Sequence, residues 1–306
     1  MSTTNTARFW QFISMVFGIV CVSEVSIAAK KESRPRVPPQ EFPTVAHFAT
    51  ATEALERVLS TPAKVVAFGE YHQTTATTTI RSSLARFTTE LLPAVAKRAT
   101  DLVVETWVAD GHCGKEETKV VNEVETTTER PPETENEILT LLKRAGAAGI
   151  SPHILTLSCK DYRWVTDKHG ETDFAKMLTL ARDRLQSEVL RWLQAPPPAP
   201  SARVPMVAVY GGALHNDLYP ASADRPYAFG RALFAKVSGQ YLEVDLFVPE
   251  YIMDDKRMAA PPWFDLVKTG VQECDTLLVR RSERSYIIVF PLTQPSGCCG
   301  PAEPPR

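Results

Sequence analysis

Five short apolar runs punctuate this 306-residue chain: AKVVAF (63–68), DLVVETW (101–107), HILTLSC (153–159), PMVAVY (205–210) and YLEVDLFV (241–248). Each is nearly continuous in apolar residues over only six to eight positions. That is the pattern of a strand buried on both faces rather than one with a wet side. The intervening segments carry a different period. Residues 74–98 place Ile80, Leu84, Phe87, Leu91 and Leu92 at helical spacing, and Asn136–Ala147 does so with Ile138, Leu139, Leu141 and Leu142. Residues 172–194 read as a long amphipathic helix with Thr172 as N-cap, ending just before Pro196-Pro197-Pro198. Near the C-terminus, TLLVRR and SYIIVF flank Ser282-Glu283-Arg284 and read as a β-hairpin at the sheet edge. Strands alternating with helices predict an α/β fold: a mainly parallel sheet covered by helices on both faces. Apolar residues make up 44% of the chain, enough for one large core. The expected organisation is a single domain over 45–292 with a proline-rich internal linker at 195–205. Residues 108–133, polar and rich in Thr and Glu, read as a long loop. The Gly/Pro-rich tail 293–306 reads as disordered.

The first 28 residues have the layout of a secretory signal. A polar start with Arg8 precedes the apolar stretch FWQFISMVFGIVCVS, and Ser26 and Ala28 sit where small residues mark cleavage. The apolar stretch is shorter than a membrane span. The mature chain is therefore expected to be exported, periplasmic or secreted, with 29–44 as a flexible lead-in. Cys21 follows Ile19-Val20, where a lipoprotein signal prefers a small residue, so membrane attachment enters only if Cys21 is lipidated. A net charge of −2 gives no basic surplus for nucleic acid. Cleavage would leave five of the six cysteines, an odd number, hence at least one free thiol. Cys159, inside an apolar run, reads as a buried core thiol. His112 and Cys113 read as loop residues.

The chemistry lies at the ends of the runs. The first is followed by Gly69-Glu70-Tyr71-His72, the second ends near Glu105, the third precedes Lys160-Asp161, and the fourth leads into Gly211-Gly212-Ala213-Leu214-His215. In open parallel sheets, ligands bind outside the carboxyl ends of the strands. One mouth would then gather Glu70, His72, Glu105 and His215, with Asp161 a weaker member because Lys160 and Arg163 offer it ordinary ion-pair partners. Two imidazoles with carboxylates suit either a divalent ion, held by His72, Glu105 and His215, or general acid–base work without one. His47, His112, His153 and His169 have no such placement.

Two G-x-x-H turns, Gly69–His72 and Gly212–His215, with Glu105 on the strand between them in sequence, resemble the haem-binding-uptake/Tiki-like superfamily. That superfamily includes ChaN-type iron-regulated lipoproteins, erythromycin esterases, and Tiki and TraB proteins. The resemblance runs by organisation over roughly residues 60 to 250. It implies one of three things. In the metalloprotease branch, His72, His215 and Glu105 would serve metal-dependent hydrolysis with Mn, Co, Zn or Fe. In the esterase branch, Glu70, His72 and the helix arginine Arg81 would be catalytic. In the ChaN branch the chain would bind haem or iron without turnover. The partner would accordingly be a small-molecule or peptide substrate, or haem. Departures are Tyr71 and Gln73, where the esterase motif has Ser and Gly.

Overall fold

The computed structural model describes residues 43–195, 205–253, 261, 263–270 and 275–293. The expected signal peptide, most of the lead-in, the proline connector from 196 on and the tail beyond 293 lie outside the described residues.

Eight strands form one sheet: β1 (Thr44–Phe48), β2 (Val65–Glu70), β3 (Asp101–Trp107), β4 (Ser151–Leu155), β5 (Val207–Gly212), β6 (Tyr241–Phe247), β7 (Thr276–Arg280) and β8 (Ser285–Val289). Their spatial order is β1-β7-β8-β6-β2-β5-β3-β4. The six strands from β8 to β4 run parallel, and β7 is antiparallel to both its neighbours. The α/β class is as expected. Every residue of β2, β5 and β6 is buried, so β5 and the body of β2 are spelled as apolar runs, while β6 interrupts its run with the buried Glu243 and Asp245.

Among the described residues the longer helices are α1 (Ala51–Leu59), α2 (Ser83–Arg86) continued through a π-helical turn (Phe87–Leu91) into α3 (Leu92–Ala96), α4 (Lys115–Thr128), α5 (Glu133–Ala147), α6 (Cys159–Val165) and α7 (Phe174–Gln194). Then follow α8 (Ala213–Asn216), α9 (Gly230–Lys236), α10 (Pro249–Ile252) and α11 (Trp263–Gly270). They cover both faces of the sheet, and β2 shows how. Val66 and Phe68 point into one core with Leu55 and Val58 of α1 and Phe87 and Leu91 of the π-turn. Val65 and Ala67 point into the opposite core with Leu185 and Val189 of α7 and Leu233 of α9. Each fully buried Val or Leu here contributes about 1.5–3 kcal/mol of transfer free energy.

Several expectations need correction. The hairpin of β7 and β8 is not at the edge, because Thr44–Phe48 adds a strand outside β7. Thr44, placed in the lead-in, is thus the first residue of the sheet. The third strand is shorter than HILTLSC: it stops at Leu155, and Ser158 caps α6 in a capping box with Asp161. The N-cap of α7 is Asp173, whose carboxylate accepts the Lys176 N–H at 3.2 Å, rather than Thr172. The stretch 108–133 is not a loop. It contains α4, whose Val120 packs with Leu157, Tyr162, Val165, Met177 and Leu180 in a small cluster of its own. Beneath that cluster Cys159 is joined to Cys113 in a disulfide, so it is not a free core thiol.

Candidate functional site

β5 lies between β2 and β3. At its carboxyl end Gly212 is in register with Glu70 of β2. A Cβ on Gly211 would lie 2.4 Å from Glu105 Oε2, and one on Gly212 would lie 3.0 Å from His72 Nε2 and 3.7 Å from Glu105 Oε2. The central strand therefore ends in bare backbone, and side chains from the two flanking strands meet over it. Only glycine leaves that space.

The Glu70 and His72 side chains form one half of the site. His72 Nδ1 lies 2.7 Å from Glu70 Oε1, and the Tyr210 hydroxyl of β5 donates to Oε2. A carboxylate only accepts, so the His72 proton sits on Nδ1. Arg130 Nη2 stands 2.9 Å from His72 Nε2 and 3.1 Å from Nδ1. An arginine only donates, and Nδ1 is committed to Glu70, so Nε2 is the acceptor. Burial drives the Glu70 carboxyl up, but His72, Arg130 and the Tyr210 hydroxyl together bring it below its usual range. Tyr210, between burial and that carboxylate, is pushed well above an ordinary phenol.

The other half is Glu105 with His215, on α8 directly after β5. His215 is 3% exposed. Its Nδ1 donates to the Tyr227 carbonyl at 2.7 Å, and Nε2 faces Glu105 Oε1 at 3.3 Å. Glu105 Oε2 takes the Gly212 N–H at 2.7 Å. With Nδ1 protonated, a neutral ring would aim a lone pair at a carboxylate. The pair is instead stable as imidazolium and carboxylate. Burial penalises both charges, yet the mutual attraction wins: His215 is raised, and Glu105 is held down at about 2 by His215 and Arg130.

The structure thus brings Glu70, His72, Glu105 and His215 to one edge of the sheet. It leaves two candidates out. Arg81 is exposed and bound to Glu90 Oε1 at 2.7 Å and to Thr89. Asp161 accepts Arg184 Nη2 at 2.7 Å on both oxygens and caps α6. The cation beside His72 is Arg130, between α4 and α5, which carries no motif. Its one sequence signal is that it is the single basic residue between Lys119 and Lys143. Glu137 of α5 completes the surroundings. It accepts from Ser82 at 2.5 Å, and burial and the Glu70 charge raise its carboxyl.

The expected ligands of a divalent ion do not fit one here. The ligand atoms of His72, Glu105 and His215 do not lie together within 4.8 Å; among the described residues the sets of three that do are His112–Cys113–Cys159 and Asp110–His112–Glu117. Arg130 also fixes a positive charge at the His72 nitrogen that an ion would need. A surface cleft of about 440 Å³ lies elsewhere, between Thr44, Phe48, Arg57 and Arg280.

No family model matches the chain, and no curated protein matches it. Among solved structures it is similar to ChaN of Campylobacter jejuni, solved for cofacial haem binding. The similarity covers 64% of this chain and 84% of that one, at 13% identity and a TM-score of 0.31. At that TM-score the likeness adds no argument, and the α/β fold rests on the strand order itself.

Proposed function

We infer that the β2–β5–β3 edge is a hydrolytic site for a small substrate carrying an ester or a similar acyl group, with His72 as general base. The observation that carries this reading is Arg130. Its guanidinium lies against the accepting nitrogen of His72, while its own Nε–H is buried and has no partner among the described residues. A buried donor with nothing to donate to is a place for a ligand oxygen.

The roles follow from that geometry. Arg130 turns from Nε2 to the substrate oxygen, where charge develops as water attacks the carbonyl carbon. Nε2, freed, takes the proton from that water. Glu70 keeps the ring oriented and balances the imidazolium. The proton then passes to the leaving oxygen as the acyl bond breaks, which restores His72. Positioned acid–base catalysis contributes about 10²–10⁴-fold, and an oxyanion donor about 10²–10³-fold. His215 is too buried to touch substrate in this scheme; it and Glu105, which takes the Gly212 N–H, hold the Gly211–Gly212 floor.

One observation favours a second reading, haem binding. An imidazole with one nitrogen fixed by a carboxylate and the other an acceptor is the form in which proteins present histidine to iron. The His72 side chain is 30% exposed. Arg130 would then pair with a haem propionate. Export to an oxidising compartment belongs to the same proposal, supported by the Cys113–Cys159 disulfide.

The test sets purified protein against a panel of small esters and, separately, against haem. Hydrolysis that falls roughly 10²-fold or more in both His72→Ala and Arg130→Ala supports the first reading. A Soret shift on haem addition that is lost in His72→Ala, without ester turnover, replaces it with the second. Indifference of both activities to both substitutions overturns the site.

A further inference from the structure

A second cluster shares no residue with the sheet-edge site. The segment before α4 supplies His112 and Cys113, and the first turn of α6 supplies Cys159. Their ligand atoms lie within 4.8 Å of one another. The two sulfurs are bonded, with Cα atoms 5.1 Å apart, and His112 Nε2 stands 3.2 Å from Cys113 Sγ. In a tetrahedral zinc site, with Zn–S about 2.3 Å and Zn–N about 2.0 Å, neighbouring N and S ligands are roughly 3.5 Å apart. The imidazole is thus close to the edge length of such a tetrahedron already, and only the two sulfurs must separate.

The surroundings support the same reading. Asp110 accepts from His112 Nδ1, which leaves Nε2 as the lone-pair nitrogen on the sulfur side. That carboxylate–imidazole arrangement is how ligating histidines are commonly oriented. Glu117, 1% exposed, receives the N–H of Gly111 at 3.1 Å and of Cys113 at 2.9 Å, and so holds the ligand-bearing turn on α4. Cys113 packs against the Val120–Tyr162–Val165 cluster. The ligands are anchored from both sides of the disulfide.

We propose that the reduced form of this corner binds a thiophilic divalent cation, zinc foremost, through His112 Nε2 and the Cys113 and Cys159 thiolates, with a fourth position open to water. A dithiol reductant supplies two electrons and two protons. The S–S bond breaks, two thiols form, and the reductant becomes its own disulfide. Cation binding then forms two metal–sulfur bonds and releases the two thiol protons. The same side chains hold a metal where thiols are kept reduced and a disulfide where they are not.

Cobalt(II) is the probe, added without oxygen to the full chain after reduction by a phosphine, which does not compete as a thiol ligand. The expected result is a thiolate-to-cobalt charge-transfer band saturating at one ion per chain, displaced by zinc and absent from the oxidised protein. His112→Ala, which keeps both cysteines, should weaken cobalt binding at least about tenfold, and Asp110→Asn by roughly tenfold. The Cys113→Ser/Cys159→Ser variant keeps the other four cysteines and should give no band. The proposal is overturned if that double variant gives the wild-type band, if reduced wild type gives none, or if His112→Ala binds cobalt as wild type does.

Discussion

At the scale of single residues, the two G-x-x-H turns spell the same motif but place their histidines in different physical situations. His72 stands beyond the end of β2, partly exposed, with its charge balance supplied by Glu70 and Arg130. His215 is on the first turn after β5, wedged between Tyr227 and Glu105 and almost fully buried. The sequence makes them look like equal partners on one ligand, because spacing reports where a side chain leaves the backbone and not how deep it lies. The stability of the two alanine variants should therefore diverge. Removing the buried His215 leaves Glu105 with only the Gly212 N–H and the Arg130 charge, and leaves the Tyr227 carbonyl without its donor, at a cost of about 1–3 kcal/mol. Removing His72 leaves Glu70 with Tyr210 and its neighbour Arg130, and the cost should stay under about 1 kcal/mol. Urea unfolding of the two variants checks this. Equal midpoints would mean that the Glu105–His215 contact is not an ion pair in solution.

At the scale of elements, the strands were legible and the α4 region was not, for one physical reason. A strand covered on both faces is mostly apolar, so β2, β3, β5 and β6 announce themselves even though β3 carries Glu105 and β6 carries Glu243 and Asp245. Helix α4 buries only Glu117 and Val120 and is otherwise wet, so KEETKVVNEVETTT has too few apolar positions to reveal its period. What holds it is tertiary: the small cluster around Tyr162 and the Cys113–Cys159 link to α6. Arg130 is hidden for the same reason, since a residue in a stretch with no legible period has no predictable direction. The same view explains β1, an edge strand whose TVAHF has no fully buried residue and only Val45 and Phe48 half-buried. The disulfide spans 46 residues. Loop-closure entropy for that length predicts that Cys113→Ser/Cys159→Ser loses about 4 kcal/mol. Chemical denaturation of the double variant against oxidised wild type measures it, and limited proteolysis of the variant should cut first between 108 and 130. A loss below about 1 kcal/mol would show that the α4–α6 cluster holds itself together without the cross-link.

At the scale of the whole molecule, the buried charges set a pH profile. On β6 itself, Glu243 and Asp245 stand two positions apart on one face of a fully buried strand, with Arg281 as their shared cation. Asn216 Nδ2 donates to Asp245 at 3.1 Å and the Leu218 N–H to Glu243 at 3.1 Å, while Asp217 adds a further negative charge nearby. One guanidinium cannot offset burial for both carboxyls. Burial, against Arg281, raises Glu243 from 4.5 to about 8 and Asp245 from 3.8 to about 6. A raised carboxyl favours the protonated folded state, so this contribution is complete below the ordinary values and is lost as pH climbs through about 6 and then about 8. His215, also raised, loses its contribution in the same direction. Glu105 works oppositely: held at about 2 against 4.5, it stabilises above 4.5 and that support drains away as the solution is acidified toward 2. The two limbs place maximum stability at mildly acid pH, near about 5. Thermal midpoints should rise as pH is lowered from 8 to 5 and fall below 4. Glu243→Gln removes the largest alkaline contribution and should flatten the decline between 5 and 8 while leaving the acid limb intact. Arg281→Met should do the reverse, steepening the alkaline fall by about 3–5 kcal/mol at pH 8, because it leaves two buried carboxylates with no cation. An alkaline slope that Glu243→Gln does not change would place its origin outside this cluster.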